Sequence, residues 1–315
     1  MIYMYAFFSA FLLVLLLVPI VREAARRLGF VDRPTKRKMH TSPVPLSGGL
    51  AIYIGVIGMA YLYVGDSSIV RVLALGGGLL VAIGLVDDGF KAYGKEFPVW
   101  PRLIVYIGVA ILPVGFGISI QGISAPSHSA MLIFSDGWSV FFTALWIFSL
   151  INMMNFIDGV DGLASGVCVI SSLTLFVASL LGNQEVIALL AIALAGSCLA
   201  FLTYNFHPAK IFMGDAGATF LGFTLAVLAI EGTLKGATFL SISVPLLALG
   251  VPILDTVITF SRRLLVGKGL HRADNLHTHH TLMRWGLSQV QTVSFLYLIA
   301  AVFALMSIVI LLILR

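Results

Sequence analysis

Charge is what this sequence has least of. Only 10% of its 315 residues are Asp, Glu, Lys or Arg, against 59% that are hydrophobic, whereas a water-soluble domain carries about 25% charged residues. A soluble globular fold is thereby excluded. Cysteine is nearly absent too: Cys168 and Cys198 both fall within apolar runs, where they read as small interior side chains and not as a disulfide framework. Low-complexity tracts and fixed-period repeats are also missing, and the whole of 1–315 reads as one transmembrane domain. The formal charge of +5 is no sign of nucleic-acid binding; its meaning lies in where the charges fall.

What the chain has instead is long apolar segments. Ten runs are long enough, or nearly so, to cross a hydrocarbon core of about 30 Å: 2–21, 47–64, 69–86, 103–118, 137–154, 162–181, 185–203, 216–232, 236–260 and 289–314. The expected fold is therefore an all-α polytopic membrane protein of about ten transmembrane helices. The fourth run is short and carries Pro113, and the last is long enough to tilt or bend. Sixteen of the 19 basic residues fall in one set of connecting loops, leaving only Arg71, Lys235 and Arg315 for the other. The positive-inside rule makes the basic set cytoplasmic and puts both termini outside. The first run has neither a basic leader nor an A-x-A site and reads as a retained helix. Residues 119–136, the longest outer loop, read as a connector.

The polar chemistry gathers at the inner helix ends, with ten of 14 acids and six of seven histidines. Four clusters carry it. In LVDDGFKAYGK, Asp87 and Asp88 end an apolar span, and helical spacing sets Lys91 on the face of Asp88. A solvated surface pair would explain one acid, but two adjacent carboxylates at a membrane boundary are costly and point to function. In NMMNFIDGVDGL, Asn155, Asp158 and Asp161 recur every three residues, with Asn152 one step before. A glycine turn with Asx caps accounts for the aspartates and glycines but not for both asparagines. In YNFHPAKIFMGDAGATFLGF, Pro208 ends one helix and Asp215 opens the next. Asp215 reads either as a helix cap or as a hard oxygen ligand of the kind Mg²⁺ takes together with phosphate oxygens. In SRRLLVGKGLHRADNLHTHHTL, Arg262, Arg263 and Arg272 precede His277, His279 and His280. Zinc fits poorly, because no cysteine accompanies the histidines and H-x-H-H lacks the i, i+4 pair of a helical site. A cationic loop that binds anions accounts for both residue types, and contact with anionic lipid is the plainer reading of the arginines. Carboxylates that call for a metal and a basic loop that calls for phosphates together fit a metal-bridged diphosphate.

These four clusters resemble the polyprenyl-phosphate N-acetylhexosamine-1-phosphate transferases. The family pattern D-D-x-x-K matches Asp87, Asp88 and Lys91; N-x-x-N-x-x-D-G-x-D-G-L matches Asn152–Leu163; F-M-G-D-x-G matches Phe212–Gly217; and H-x-H-H matches His277–His280. KMHTSPVPLSGG is similar to the family's first inner loop. Each motif alone is weak, but all of them in order over about residues 30–285 are specific. The resemblance implies a Mg²⁺-dependent enzyme, with Mn²⁺ as a substitute, in the plasma membrane of a bacterium with its active site facing the cytoplasm. A polyprenyl phosphate such as undecaprenyl phosphate would attack the β-phosphate of a UDP-N-acetylhexosamine, giving a lipid-diphospho-sugar and UMP as the first step of an envelope polymer. Asp215 would be the principal metal ligand, with Asn155 or Asp158 nearby. Asn205, Phe212 and Asp161 would form the uridine pocket, with Asn152 beside it. Asp87 and Asp88 would orient or activate the lipid phosphate beside Lys91. The histidines, with His279 and His280 in catalytic positions, would hold diphosphate and sugar together with the arginines. A phosphate monoester has a second pKa of about 6 and is largely ionised at cytoplasmic pH, so Asp87 is expected to position the nucleophile more than to deprotonate it.

The HTHH form is closer to the WecA/TagO branch than to the MraY branch, which favours UDP-GlcNAc over UDP-MurNAc-pentapeptide as donor. A homodimer is compatible with the sequence. A cation- or proton-coupled transporter would place its acids mid-span and show symmetry between its halves. Here the acids cluster instead at the inner boundary; Asp255, within the ninth run, is the mid-span exception, and Glu231 lies near an outer end.

Overall fold

The computed structural model describes residues 1–34, 42–124, 131–234, 239–266 and 277–313. Twelve α-helices dominate these residues. They are α1 (Ile2–Arg27), α2 (Gly48–Tyr63), α3 (Ser68–Ala92), α4 (Val99–Ile111), α5 (Asp136–Ile157), α6 (Leu163–Leu181), α7 (Glu185–Asn205), α8 (Gly214–Ala229), α9 (Phe239–Ala248), α10 (Gly250–Val266), α11 (Thr278–Arg284) and α12 (Gln289–Ile313). Eight segments are long and apolar enough to cross a membrane. One is α4 continued by a 3₁₀ turn through Phe116, and another is α8 extended to Gly232. The helix α2, at 16 residues, is apolar but shorter.

Two expectations need adjusting. The ninth run is not one straight span: α9 and α10 meet at 79°. Pro245 lies inside α9 and Pro252 near the start of α10, and each removes a backbone donor and crowds the preceding turn. The last run, by contrast, is a single helix of 25 residues. The outer connector contains a small antiparallel hairpin, β3 (Gly122–Ser124) with β4 (Met131–Ile133). A second ribbon pairs β1 (Val31–Asp32) with β2 (Val44–Pro45). These short strands qualify the all-α reading without changing its class.

At the centre stands α8, with every residue from Ala216 to Ala229 buried, packed against α3, α5 and α2. Around it α7 packs on α1 and α6, while α12 lies on α6 and α9. Helices α1 and α12 turn apolar side chains such as Leu12, Leu16 and Leu305 outward, the surface expected where hydrocarbon is the solvent. Lipid gives helices no hydrophobic reason to associate, so close packing at small residues must do it. A Cβ on Gly84 would run into the backbone of Ala216, and one on Gly49 into that of Gly217. The first contact sets the C-terminal part of α3, and the second the start of α2, against the N-terminal end of α8.

Candidate active site

That junction gathers three of the expected site residues. Asp87 and Asp88, 2% and 1% exposed, lie near the end of α3, and Asp215 lies in the first turn of α8. One carboxylate oxygen from each falls within 4.8 Å of the others. Asp88 accepts hydrogen bonds from the backbone N–H groups of Asp215 (3.1 Å) and Ala216 (3.4 Å), which satisfies donors that a helix start leaves open. Lys91 Nζ lies 2.8 Å from Asp87, 2.7 Å from Asp215 and 3.9 Å from Asp88. The short contact within α3 is thus to Asp87, one full turn away, and not to Asp88 as the sequence spacing implied.

Arg102 of α4 completes the group, with Nη1 3.0 Å from Asp87 Oδ2 and 3.3 Å from Asp215 Oδ2. Sequence reading had counted it only as a loop charge. It stands alone among Pro98, Val99, Trp100 and Pro101, with no motif to single it out. Three carboxylates with two cations leave one excess negative charge, so the donor set fits a divalent ion held by hard oxygens. Asp87, Asp88 and Asp215 are the residues that could hold it, and Lys91 and Arg102 sit on the same oxygens.

The second cluster forms the turn after α5. Asn152 donates from Nδ2 to the carbonyl of Phe148 at 2.7 Å, and Asn155 is half-buried on the last turn of α5. Asp158 follows as the C-cap. Burial, reinforced by the charges of Asp215 and Asp88, raises its pKa above the usual carboxylate range. Asp161 points the other way, with Oδ2 2.9 Å from His207 Nδ1 and accepting from the N–H of Ala209 at 3.1 Å. Asn205 is buried and holds the loops together: Oδ1 accepts from Gly162 N–H and Ser165 Oγ (3.1 Å each), while Nδ2 donates to the carbonyl of Ile211 (3.0 Å). Phe212 is fixed through its backbone, its N–H donating to Pro45 and its carbonyl accepting from Gly48 N–H. The third cluster is therefore tied to the second through Asn205 and Asp161.

The fourth cluster packs onto the same turn. The ring of His277 lies 5.6 Å from that of Phe156 and is nearly parallel to His279 at 5.7 Å. His279 is 1% exposed, and both its nitrogens are buried with no hydrogen-bond partner among the described residues. Nε2 lies 3.1 Å from where a Cβ on Gly159 would stand. Burial, aided by His280, pushes its pKa down to about 3. The pKa of half-buried His280 is lowered as well, by burial first and then by His277 and Arg284. Arg262 Nη1 donates to Thr281 Oγ1 at 2.9 Å, and the buried Arg263 lies 5.6 Å from the centroid of the Phe260 ring. Arg262 thus links α10 to α11, while the ring contact of Arg263 stays within α10. Arg272 lies outside the described residues.

Comparison with known proteins agrees with this arrangement. Residues 70–233 match the glycosyl transferase family 4 model. The chain is 38% identical over 306 residues to a probable undecaprenyl-phosphate N-acetylglucosaminyl 1-phosphate transferase of Bacillus subtilis, covering 96% of this chain and 84% of that protein. It is 34% identical over 314 residues to the decaprenyl-phosphate N-acetylglucosaminephosphotransferase of Mycolicibacterium smegmatis (90% and 76% covered). It is also 30% identical over 306 residues to the undecaprenyl-phosphate alpha-N-acetylglucosaminyl 1-phosphate transferase of Escherichia coli K12 (94% and 80% covered). The chain therefore belongs to glycosyl transferase family 4, as an integral membrane protein of the polyprenyl-phosphate N-acetylhexosamine-1-phosphate transferase type that its motifs resemble.

Proposed function

We propose that this protein transfers N-acetylglucosamine 1-phosphate from UDP-GlcNAc to undecaprenyl phosphate, releasing UMP, at the cytoplasmic face of a bacterial plasma membrane. The observation that carries the reading is the convergence of Asp87, Asp88 and Asp215 with Lys91 and Arg102. A phosphate-to-phosphate transfer must bring two anions together, and catalysis of it is chiefly positioning and charge compensation. Lys91 and Arg102 reach one point from two helices and supply fixed positive charge there. An oxygen of the lipid phosphate forms a bond to the β-phosphorus as the bond from that phosphorus to the UMP oxygen breaks. The nucleophile arrives largely ionised, so Asp87 orients it without having to remove a proton. Asp215, Asp87 and Asp88 would hold Mg²⁺, with Asn155 and Asp158 on the adjoining turn. Bound there, the ion supplies neutralisation of the diphosphate. Asp161, Asn205 and Phe212 border the region assigned to uridine, where Asn205 acts by holding the 162–165 and 211 backbone in place. His277, His279 and His280, with the arginines, border the sugar-diphosphate side.

The same geometry bears on orientation. The ends of α3 and α5 and the starts of α8 and α11 meet at the site, and the basic loops adjoin those ends, which supports a cytoplasmic site with both termini outside. A lipid-anchored acceptor and a water-soluble donor can meet only at such a boundary.

The test uses the full-length protein in liposomes with Mg²⁺, undecaprenyl phosphate and labelled UDP-GlcNAc, following UMP release and lipid labelling. Label that requires Mg²⁺ and disappears in Asp215→Asn is the expected result. Turnover with UDP-MurNAc-pentapeptide alone would move the donor assignment. No turnover with any UDP-N-acetyl sugar by folded protein would sink the transferase reading.

A further inference from the structure

Asp255 is the acid that the proposed reaction leaves unused. It lies in α10, three residues after Pro252 and 5% exposed, in a segment where an unpaired carboxylate would be very costly. Its side chain reaches the start of α11. Its two oxygens are engaged there on consecutive residues. Oδ1 accepts from the backbone N–H of Thr278 at 2.7 Å, and Oδ2 lies 2.7 Å from His277 Nδ1. Thr259, one turn further along α10, has its Oγ1 3.5 Å from the same nitrogen. His277 itself makes no side-chain cap to α11, so the helix start is secured from α10.

A carboxylate can only accept, so the contact at Oδ2 requires that Nδ1 of His277 carry the hydrogen. The neutral ring then has a bare Nε2, and any second proton must be gained or lost there. The ring cannot turn over without breaking that contact, and it is held against Phe156 and parallel to His279. Both neighbours lie on or against the turn that carries Asn155, Asp158 and Asp161. A carboxylate needed only to cap α11 would use the Thr278 N–H alone; the second contact, to the histidine, is what sets a tautomer.

We propose that Asp255 is a positioning residue for the transfer reaction: it holds the His277 imidazole in the Nδ1–H tautomer and fixes the start of the histidine segment, leaving Nε2 as the nitrogen that serves the substrate. The role in turnover rests on the transferase reading, whereas the tautomer does not.

Asp255→Asn separates this from a purely structural role. The amide oxygen can still accept from Thr278 N–H, but its NH₂ donates to His277 Nδ1 and forces the hydrogen to Nε2. Nitrogen-15 spectra of imidazole-labelled full-length protein in micelles, with His277 assigned by its loss in His277→Gln, read the tautomer directly. Wild type should show a protonated Nδ1 and a bare Nε2, and Asp255→Asn the reverse. With thermal stability close to wild type, Asp255→Asn should lower kcat about 100-fold while KM for UDP-GlcNAc stays within about threefold. Asp255→Glu, which keeps the acceptor chemistry, should recover part of the loss. A wild-type spectrum with hydrogen on Nε2, or an Asn variant that turns over like wild type, would overturn the proposal. Absence of turnover in wild type itself would instead count against the transferase reading, and the spectra would still decide the Asp255–His277 pairing.

Discussion

Gly84 sits one turn before Asp87, at the point where α3 touches α8, and replacing it by alanine tests whether helix spacing sets the chemistry. The added methyl would meet the Ala216 backbone, with Asp215 beside it. Backbone cannot rotate out of the way as the tip of a flexible side chain can, so the two helices must part by about 1 Å to restore ordinary contact. Overpacking of this kind costs about 1–3 kcal/mol, which a bundle with so large a buried core survives. The site is less tolerant. Asp87 and Asp88 travel with α3, Asp215 with α8, and Lys91 spans both with contacts of 2.8 and 2.7 Å. A displacement of about 1 Å in such a constellation lowers turnover roughly 100-fold. The measurement is UMP release by Gly84→Ala in liposomes, alongside thermal unfolding followed by tryptophan fluorescence. Gly108→Ala in α4 is the matched control, because a Cβ there meets nothing within 4 Å; it should retain wild-type kcat. A folded Gly84→Ala protein with undiminished kcat would refute the idea that close packing at this glycine aligns the carboxylates.

Further outcomes follow from individual contacts. Arg102→Met removes a cation shared by Asp87 and Asp215; turnover should fall about 100-fold. The same variant should bind Mn²⁺ at least about threefold more tightly by paramagnetic resonance, since guanidinium and metal compete for the same oxygens; unchanged Mn²⁺ affinity would refute that competition. His279 should make the protein acid-sensitive. Its folded pKa of about 3 lies below the ordinary 6.5, so between these values the unfolded chain binds a proton that the folded one refuses. Stability is therefore full above pH 6.5 and is lost progressively as pH falls toward 3, by on the order of 2 kcal/mol at pH 5. His279→Phe should show a flatter fall in melting temperature between pH 7 and pH 5, and an identical slope would refute this account. Cys168 and Cys198, buried with sulfurs 3.5 Å apart, should resist maleimide in native membranes and react only after denaturation.

Sequence reading reached the helical class, and it singled out the three acids that converge in the candidate site, because lipid makes polarity conspicuous. Two adjacent carboxylates at the end of an apolar run have few structural excuses, so Asp87 and Asp88 stand out as a pair, whereas Asp158 and Asp215 each also read as caps and stand out only within their motifs. Their convergence was less legible, since it depends on α8 passing through the centre and on glycines that let α3 approach it. Arg102 was invisible as a site residue because a lone arginine in an inner loop is what the positive-inside rule already predicts. Asn205 was found, but the sequence could not tell a side chain that meets a ligand from one that fastens the loops around it. The 79° break in the ninth run could have been suspected from Pro245 and Pro252, two prolines seven residues apart. The partnership of Asp255 with His277 could not, because the two lie 22 residues apart, one within α10 and the other at the start of α11.

The enclosure of α8 has a kinetic side. Asp215 rides on a segment 89% buried, whereas Arg102 rides on one only 22% buried, and local opening free energies follow such differences in packing. Amides along α8 should therefore exchange their hydrogens only when the whole protein opens, whereas α4, whose outward face meets hydrocarbon, relies on lipid for the shielding that α8 takes from its neighbours. Stripping that lipid should loosen the countercharge before it loosens the acids.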